Sequence, residues 1–470
     1  MAHKSMLSPT AIDGLVTAVL QVLERVGVFC QNDEILGALA SWGAQVDLAG
    51  QTARFPQQAV LDFVGGLRRE EVPTSQEPCR GFRAPALPRL STQIAQFYLD
   101  HHTGERRAGN REDFVTLIKL GDVLHREEGV GHSLLLTEVP PLLEPLEAAL
   151  LLAQYTRNPA GAFAWDVRQV DYLTEMGEFL DIHNWFTWGA ICFAHPLRFD
   201  KEVADKFVRR VRSGTPTGLT GMPVSGVTTP VTPAGFIVVA AAEFLATWIA
   251  ARALNPTVAF EGSIWGGSVD FRTGAVSYSS PDAMLRAFAL AEFLERWSGR
   301  VVPVGGGEYC DARSPGLYAA LEKAYKAMTI AAFTGRHPPV GEGMLETGKT
   351  ISPAQILIER ELAGGVQMLA SEIEVTPETI ALDTILDVGF GLERNYMGAE
   401  HTVRHHRQTH WYPALVDRVG WNGAGTEAAT LEKATRKVDA LLASYRKLGA
   451  DPDTLARMRR VVRRAQRNLA

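Results

Sequence analysis

From about residue 110 onward, short apolar segments alternate with longer stretches of helical periodicity, and this rhythm limits the folds open to the chain. The strand candidates cover 131–136, 162–167, 185–193, 218–223, 258–264, 301–305 and 339–344. Helical candidates at 111–127, 142–157, 170–181, 201–212, 233–254, 281–297 and 317–333 alternate with them. Strands separated by helices of this length form parallel βαβ units, because a parallel pair needs a long crossover. Seven units, with an eighth expected across 352–389, predict an α/β fold, a (β/α)8 TIM barrel spanning 89–424. An open dinucleotide-binding sheet would carry G-x-G-x-x-G after its first strand, and this sequence has no such motif there.

The flanks read as helical. Residues 1–88 are expected to form an N-terminal extension of three helices ending in a proline-rich connector, with Ser8-Pro9 as the first helix start. Residues 425–470 are expected to be two helices packed on the barrel, the last bearing Arg457, Arg459, Arg460, Arg463, Arg464 and Arg467. That basic face reads as solvated, with docking to an acidic protein as the sharper alternative.

Charge and cysteine usage exclude several classes. The net charge of -6 gives no reason to expect a nucleic-acid partner. Cys30, Cys79, Cys192 and Cys310 are scattered and form no C-x-x-C pair, which fits a reducing cytoplasm and argues against a thiolate zinc site. The apolar run 235–251 is shorter than a membrane span needs and carries Glu243 at its centre, so it reads as a buried helix.

Barrel enzymes work at the carboxyl ends of their strands. Those positions here supply Asp166, Glu261, Glu308 and Glu342 among the aromatics Phe163, Trp165, Phe186, Trp188, Phe260, Trp265 and Tyr278. Ring faces attract a quaternary ammonium, which cannot donate hydrogen bonds, so the group leans towards a pocket for a small organic cation. Core filling is the alternative for any single ring. His183 and His195 flank the third strand candidate and read mainly as structural. Gly305 and Gly306 read as a tight turn, with a phosphate cradle as the weaker option. The histidine-rich run from Glu400 to His410 has i, i+4 pairs but lacks the H-E-x-x-H carboxylate, so His401 and His405 are expected to line a site or an interface rather than hold a metal.

Several stretches together resemble the trimethylamine methyltransferase family, including its members acting on glycine betaine. They are Tyr98-Leu99-Asp100 with Thr103-Gly104-Glu105-Arg106, the run from Thr228 to Gly235, the run from Asp270 to Tyr278 with Ser280-Pro281, and His401-Thr402-Val403-Arg404-His405. Weaker pieces are Asp311 to Pro315, Glu322-Lys323 and Gly343-Met344. The resemblance implies a (β/α)8 barrel that passes a methyl group from a small methylated amine to the cobalamin of a separate corrinoid protein. With such a substrate, the strand-end residues Trp165, Phe186, Trp188, Glu261, Tyr278, Glu308 and Glu342 are expected to surround it, and Gly305, Gly306, His401 and His405 to face the corrinoid. The sequence holds only the twenty standard residues, which favours a member without pyrrolysine acting on a quaternary amine, with glycine betaine leading. Glu261, Trp265 and Tyr309 depart from what a betaine enzyme is expected to carry, so another methylated amine or a sulfonium stays open. A carboxylate on the substrate would meet Arg272 or Arg313, while a salt bridge of Arg272 with Asp270 or Glu261 is an equal alternative. Two further readings remain: a barrel that binds methylated amines without chemistry, and a metal-dependent hydrolase using the histidine run. The oligomeric state is open, a homo-oligomer included.

Overall fold

The computed structural model describes residues 5–70, 87–90, 93–193, 196–369, 371–417, 420, 422–447 and 449–469; His195 and Cys79 lie outside them. The chain is a mixed α/β protein. Its N-terminal part contains α1 (Pro9–Arg25), α2 (Asp33–Trp42) and α3 (Gln57–Leu67). Ser8 caps α1 by accepting the Ala11 N–H at 3.1 Å, and Asn32 caps α2 by accepting the Ile35 N–H at 2.9 Å. Between the helices run three short strands, Val28–Cys30, Gln45–Asp47 and Thr52–Arg54, which the helical reading of this region did not anticipate. Arg198–Phe199 adds to Val28–Cys30 in parallel and ties the extension to the main body. Gly27 turns with φ 73°, and a Cβ there would lie 2.0 Å from the Ala53 carbonyl oxygen.

In the main body, extended segments are followed in turn by α4 (Arg111–Leu124), α5 (Glu144–Tyr155), α6 (Val167–Glu178), α7 (Lys201–Arg212), α8 (Pro233–Leu254), α9 (Pro281–Ser298), α10 (Leu317–Thr334) and α11 (Pro353–Met368). The segments join in chain order. Ala95 bridges Leu134 in parallel and Val130 bridges Pro159. Ala162–Ala164 pairs in parallel with Phe186–Trp188. The Thr220 N–H then donates to Ile191 at 2.8 Å. Thr220–Gly221 pairs with Ser263–Ile264, and Ile264 bridges Val304. Beyond 304 the joints are made by side chains: the Glu308 carboxylate accepts the N–H groups of Gly341 and Glu342, and the Glu342 carboxylate accepts the Gln93 N–H at 3.1 Å.

One expected element is corrected. The eighth unit does not lie in 352–389, where the chain forms α11 and the short helices α12 (Pro377–Ile380) and α13 (Leu382–Val388). A further extended segment, described at 87–90 and 93–95, instead precedes α4. Helix α14 (Glu400–Thr409) follows the short helices, and α15 (Ala424–Ser444) and α16 (Pro452–Leu469) end the chain as expected. Helix α15 packs on α11 and α4, and α16 on α5 and α6. Part of the basic face of α16 is taken up there, with Arg464 paired to Glu175 and Arg457 4.5 Å from the ring of Phe179.

Helix α8 is the hub of the N-terminal half. It is long and apolar enough to cross a membrane, but 78% of its apolar window is buried against this chain. It packs against α1, α2, α7 and α9, so it needs no polar face. Glu243 sits inside this packing and accepts the Leu197 N–H at 2.9 Å. Burial pushes its carboxyl up to about 8. The folded chain therefore holds a proton that the unfolded chain releases above the ordinary carboxylate range. This stabilisation is complete below that range, declines as pH rises by about 1.4 kcal/mol per unit, and levels off above the folded value. Glu243→Gln keeps an acceptor for Leu197 and removes the titration. Thermal unfolding followed from pH 5 to 9 is expected to show the variant gaining on wild type as pH rises, and a constant difference would refute the assignment.

Candidate functional site at the segment ends

Rings gather in two groups near the segment ends. Trp165 stacks on Phe163 (5.7 Å, 15°) and its indole N–H donates to Glu144 at 3.1 Å. Glu144 is itself fixed by buried His132, whose Nε2 lies 2.9 Å away. The Phe163 N–H reaches the His132 Nδ1 at 3.4 Å, so Nε2 carries the proton and donates to the carboxylate. Further round, Trp265 meets Tyr309 edge-on at 4.7 Å, and Tyr309 meets Tyr278 at 5.9 Å. Burial, reinforced by Cys192, raises the Tyr278 phenol. Burial also pushes the Cys192 thiol up to about 11, against the pull of Lys206.

Two lysines border this cluster from the helix layer. Lys206 of α7 is buried, its Nζ 3.3 Å from where a Cβ on Gly189 would stand, with Trp165 beside it. Lys326 of α10 is buried near Gly306 and 6.0 Å from the ring of Tyr309. Desolvation lowers both ammonium groups, Lys326 to about 7. Among the described residues neither Nζ has a hydrogen-bond partner.

Several expected site residues lie elsewhere. Residues paired across parallel strands share a face, so the register sets Phe186 and Trp188 beside Ala162 and Ala164. That face packs on the core containing Leu146 of α5 and Leu173 of α6, opposite Phe163. Glu261 is exposed and ion-paired with Arg210 in the last turn of α7, at the wrong end of its segment for a site residue. Arg272 is exposed at a hairpin tip and forks onto Asp270 at 3.0 and 2.9 Å, which is the salt-bridge alternative weighed above. Arg313 lines a surface groove of about 570 Å³ between the starts of α10 and α15. Gly305 and Gly306 do not form a cradle. A Cβ on Gly305 would lie 2.4 Å from the Trp265 Nε1, and the two glycines enclose, with Trp265, Tyr278 and Lys326, a cavity of only about 10 Å³. That is room for about one water. His401 and His405 stack at 4.5 Å on α14, within a stretch that leaves α11 at Met368. The stretch returns where the Ala414, Leu415 and Val416 N–H groups bond to Glu361 of α11.

Glu308 and Glu342 form the seam described above rather than an open site. Fully buried Lys323 lies 3.1 Å from Glu308 and 2.7 Å from Glu359, and Glu359 accepts the Gly343 N–H at 3.0 Å. Arg360 adds a bond from its Nε to the Gly341 carbonyl at 2.9 Å. Burial and the neighbouring Glu308 push the Glu342 carboxyl well above the usual range. Burial also raises the Glu359 carboxyl to about 7 against the pull of Lys323, and Glu342, which bonds to neither cation, is the member that keeps its proton.

Comparison with known proteins gives this architecture its place. The family model described as trimethylamine methyltransferase (MTTB) matches residues 1–470. The chain belongs to that family. It is thus an enzyme, a methyltransferase of the methylamine type. Trimethylamine methyltransferase MttB of Desulfitobacterium hafniense is 23% identical over 446 residues, covering 91% of this chain and 87% of its own length. MttB of Methanosarcina barkeri is 28% identical over 59% of this chain and 55% of its own length. Glycine betaine methyltransferase of Desulfitobacterium hafniense is 26% identical over 56% of this chain and 54% of its own length. For the last two, the chain spans little more than half of the relative.

Within this MTTB-family chain, the sequence reading gave no site role to Cys192, Lys206, Lys323, Lys326 or the His132–Glu144 pair, and named Tyr309 only as a departure from the betaine pattern. The lysines did leave a signal, because on α10 they interrupt the inward stripe of Ala319, Ala320, Ala327 and Ile330. The seam gives a paired prediction. Lys323→Ala leaves two buried carboxylates without their cation and is expected to lose about 3–5 kcal/mol in chemical denaturation. Glu342→Gln replaces a neutral acid with a neutral amide and is expected to cost about 1 kcal/mol or less. Equal losses in the two variants would contradict the proton assignment.

Proposed function

We propose that this chain is a (β/α)8-barrel methyltransferase that takes a methyl group from a small quaternary amine carrying a carboxylate, glycine betaine or a close analogue, and delivers it to the cob(I)alamin of a separate corrinoid protein. Six joints through the backbone and two through carboxylates, taken in chain order with a helix after each segment, support closure of the ring. The substrate reading is carried by the rings of Trp165, Trp265, Tyr278 and Tyr309 and by the buried, unpartnered ammonium groups of Lys206 and Lys326; the gap among Trp265, Tyr278 and Lys326 holds only about one water, so these side chains part to admit the substrate. Ring faces suit the methylated nitrogen, and Lys206 or Lys326 suits the carboxylate at the other end of a zwitterion.

The chemistry asks little of these side chains beyond binding and orientation. Cob(I)alamin supplies the nucleophile. A quaternary nitrogen departs as a neutral tertiary amine, so no proton has to be delivered to it. The rings exclude water from the cation, and Glu144 holds the Trp165 indole in one orientation. Nothing in the cluster is suited to hold cobalt permanently. His132 is committed to Glu144, and burial keeps Cys192 a thiol. This fits a corrinoid that arrives on its own protein.

The direct test is incubation with glycine betaine and cob(I)alamin, following methylcobalamin by absorbance. Methylation is expected, and no turnover across betaines, carnitine and trimethylamine would sink the proposal. The carboxylate contact is tested separately. Lys206→Met or Lys326→Met is expected to raise KM for glycine betaine about tenfold or more, as loss of a charged hydrogen bond does. KM for tetramethylammonium should stay unchanged. If both variants keep the wild-type KM for betaine, the carboxylate is held elsewhere.

A further inference from the structure

The stretch that follows α11, described at 369 and 371–413, is folded but has no core of its own. Helices α12 and α14 contain no buried residue, and α13 contains only Val388. Thr376 nevertheless caps α12, accepting the Thr379 N–H at 3.1 Å. Leu369, Ile373, Leu386, Phe390, Leu392 and Met397 are each between 70% and 99% exposed. Those six side chains alone offer on the order of 1,000 Å² of apolar surface, more than the roughly 800 Å² one partner contributes to a standard interface.

A second uncovered face lies on the main body. On α10 the outward side chains Tyr318, Leu321, Tyr325 and Met328 are 47–66% exposed. Their spacing of three, four and three residues makes one continuous stripe opposite the buried Lys323, Lys326 and Ile330. Such a stripe is shaped for another helix. Helix α13 presents a matching one, with exposed Leu382, Ile385 and Leu386 at i, i+3 and i+4.

We infer that the arm 369–413 of one copy of this chain covers the outer face of α10 on a second copy, with α13 lying along the stripe, and that the exchange is reciprocal. Two self-complementary surfaces on one chain are what a two-fold interface requires. A membrane fits less well, since the arm carries seven carboxylates against three arginines and anionic lipid would repel it. A partner that must leave after each cycle fits less well too, because helices without a core need a permanent cover.

The test uses the full-length protein and a mass measurement in solution, which does not depend on methyl transfer. At micromolar concentration, wild type is expected at twice the 51.3 kDa of the chain or an even multiple of that dimer. Leu386→Glu in the arm and Leu321→Glu on α10 change exposed side chains only, and circular dichroism should confirm that both fold. Each alone is expected to shift the mass towards a single chain. Mixing the two variants restores one intact arm-to-α10 contact, so a heterodimer is expected to form at raised concentration. A monomeric wild type, an α10 variant that stays dimeric, or a mixture that does not associate overturns the inference.

Discussion

Lys323 is buried completely between Glu308 and Glu359, and the joining of the chain's last segments depends on that cluster. Between 305 and 95 the segments are linked less by a backbone ladder than by carboxylates reaching across to N–H groups on neighbouring segments. Each oxygen used this way replaces a strand hydrogen bond, but it brings a charge into a site that water cannot reach. Lys323 and Arg360 make this tolerable, and the proton kept by Glu342 removes the remaining excess. The Gly341-Glu342-Gly343 turn follows from the same crowding. Both glycines have positive φ, and a Cβ on Gly343 would lie 2.5 Å from Ile356 and 2.6 Å from the Ser352 carbonyl.

The same helix shows how location decides the fate of a lysine. Lys323 and Lys326 stand three residues apart on the inward face of α10 and differ in their surroundings. Carboxylates on both sides hold Lys323 in its charged form. Lys326 faces glycine backbone and the rings of Trp265 and Tyr309, has no carboxylate within ion-pair distance among the described residues, and is lowered to about 7 because burial outweighs the pull of Asp311. One lysine is already compensated and the other awaits an anion. Lys206 on α7 is in the second position.

Apolar periodicity made most of the framework legible in the sequence, because burial on one face of a helix and on both faces of a segment leaves a direct trace. Helices α4 to α10 fall where the pattern put them. The three N-terminal strands were missed because three residues are too few to show alternation. The extended segment before α4, described at 87–90 and 93–95, was missed because its proline and polar residues hide it, and because side chains make half of its joints. The site was less legible for a related reason. A sequence shows that Phe186 and Trp188 share a face, but the phase of that face relative to Trp165 belongs to the pairing register. It shows a glutamate at a strand end, but not the lysine across the seam that occupies it. Arg272 had its partner within reading distance, two residues away at Asp270, as Asp166 had Arg168.

The proposed reaction places a methyl donor beside a thiol, and the cluster must therefore distinguish two nucleophiles. Cys192 lies near Lys206, Tyr278 and Tyr309, where an electrophilic methyl group would meet it. Only a thiolate attacks, and burial raises the Cys192 thiol to about 11 despite the neighbouring ammonium. At neutral pH the sulfur is therefore held as the thiol. The low-dielectric lining that strips water from a quaternary ammonium is the same lining that keeps this sulfur protonated. One property of the rim thus serves both ends: it binds the cation through ring faces and leaves the methyl group for the nucleophile that arrives from outside.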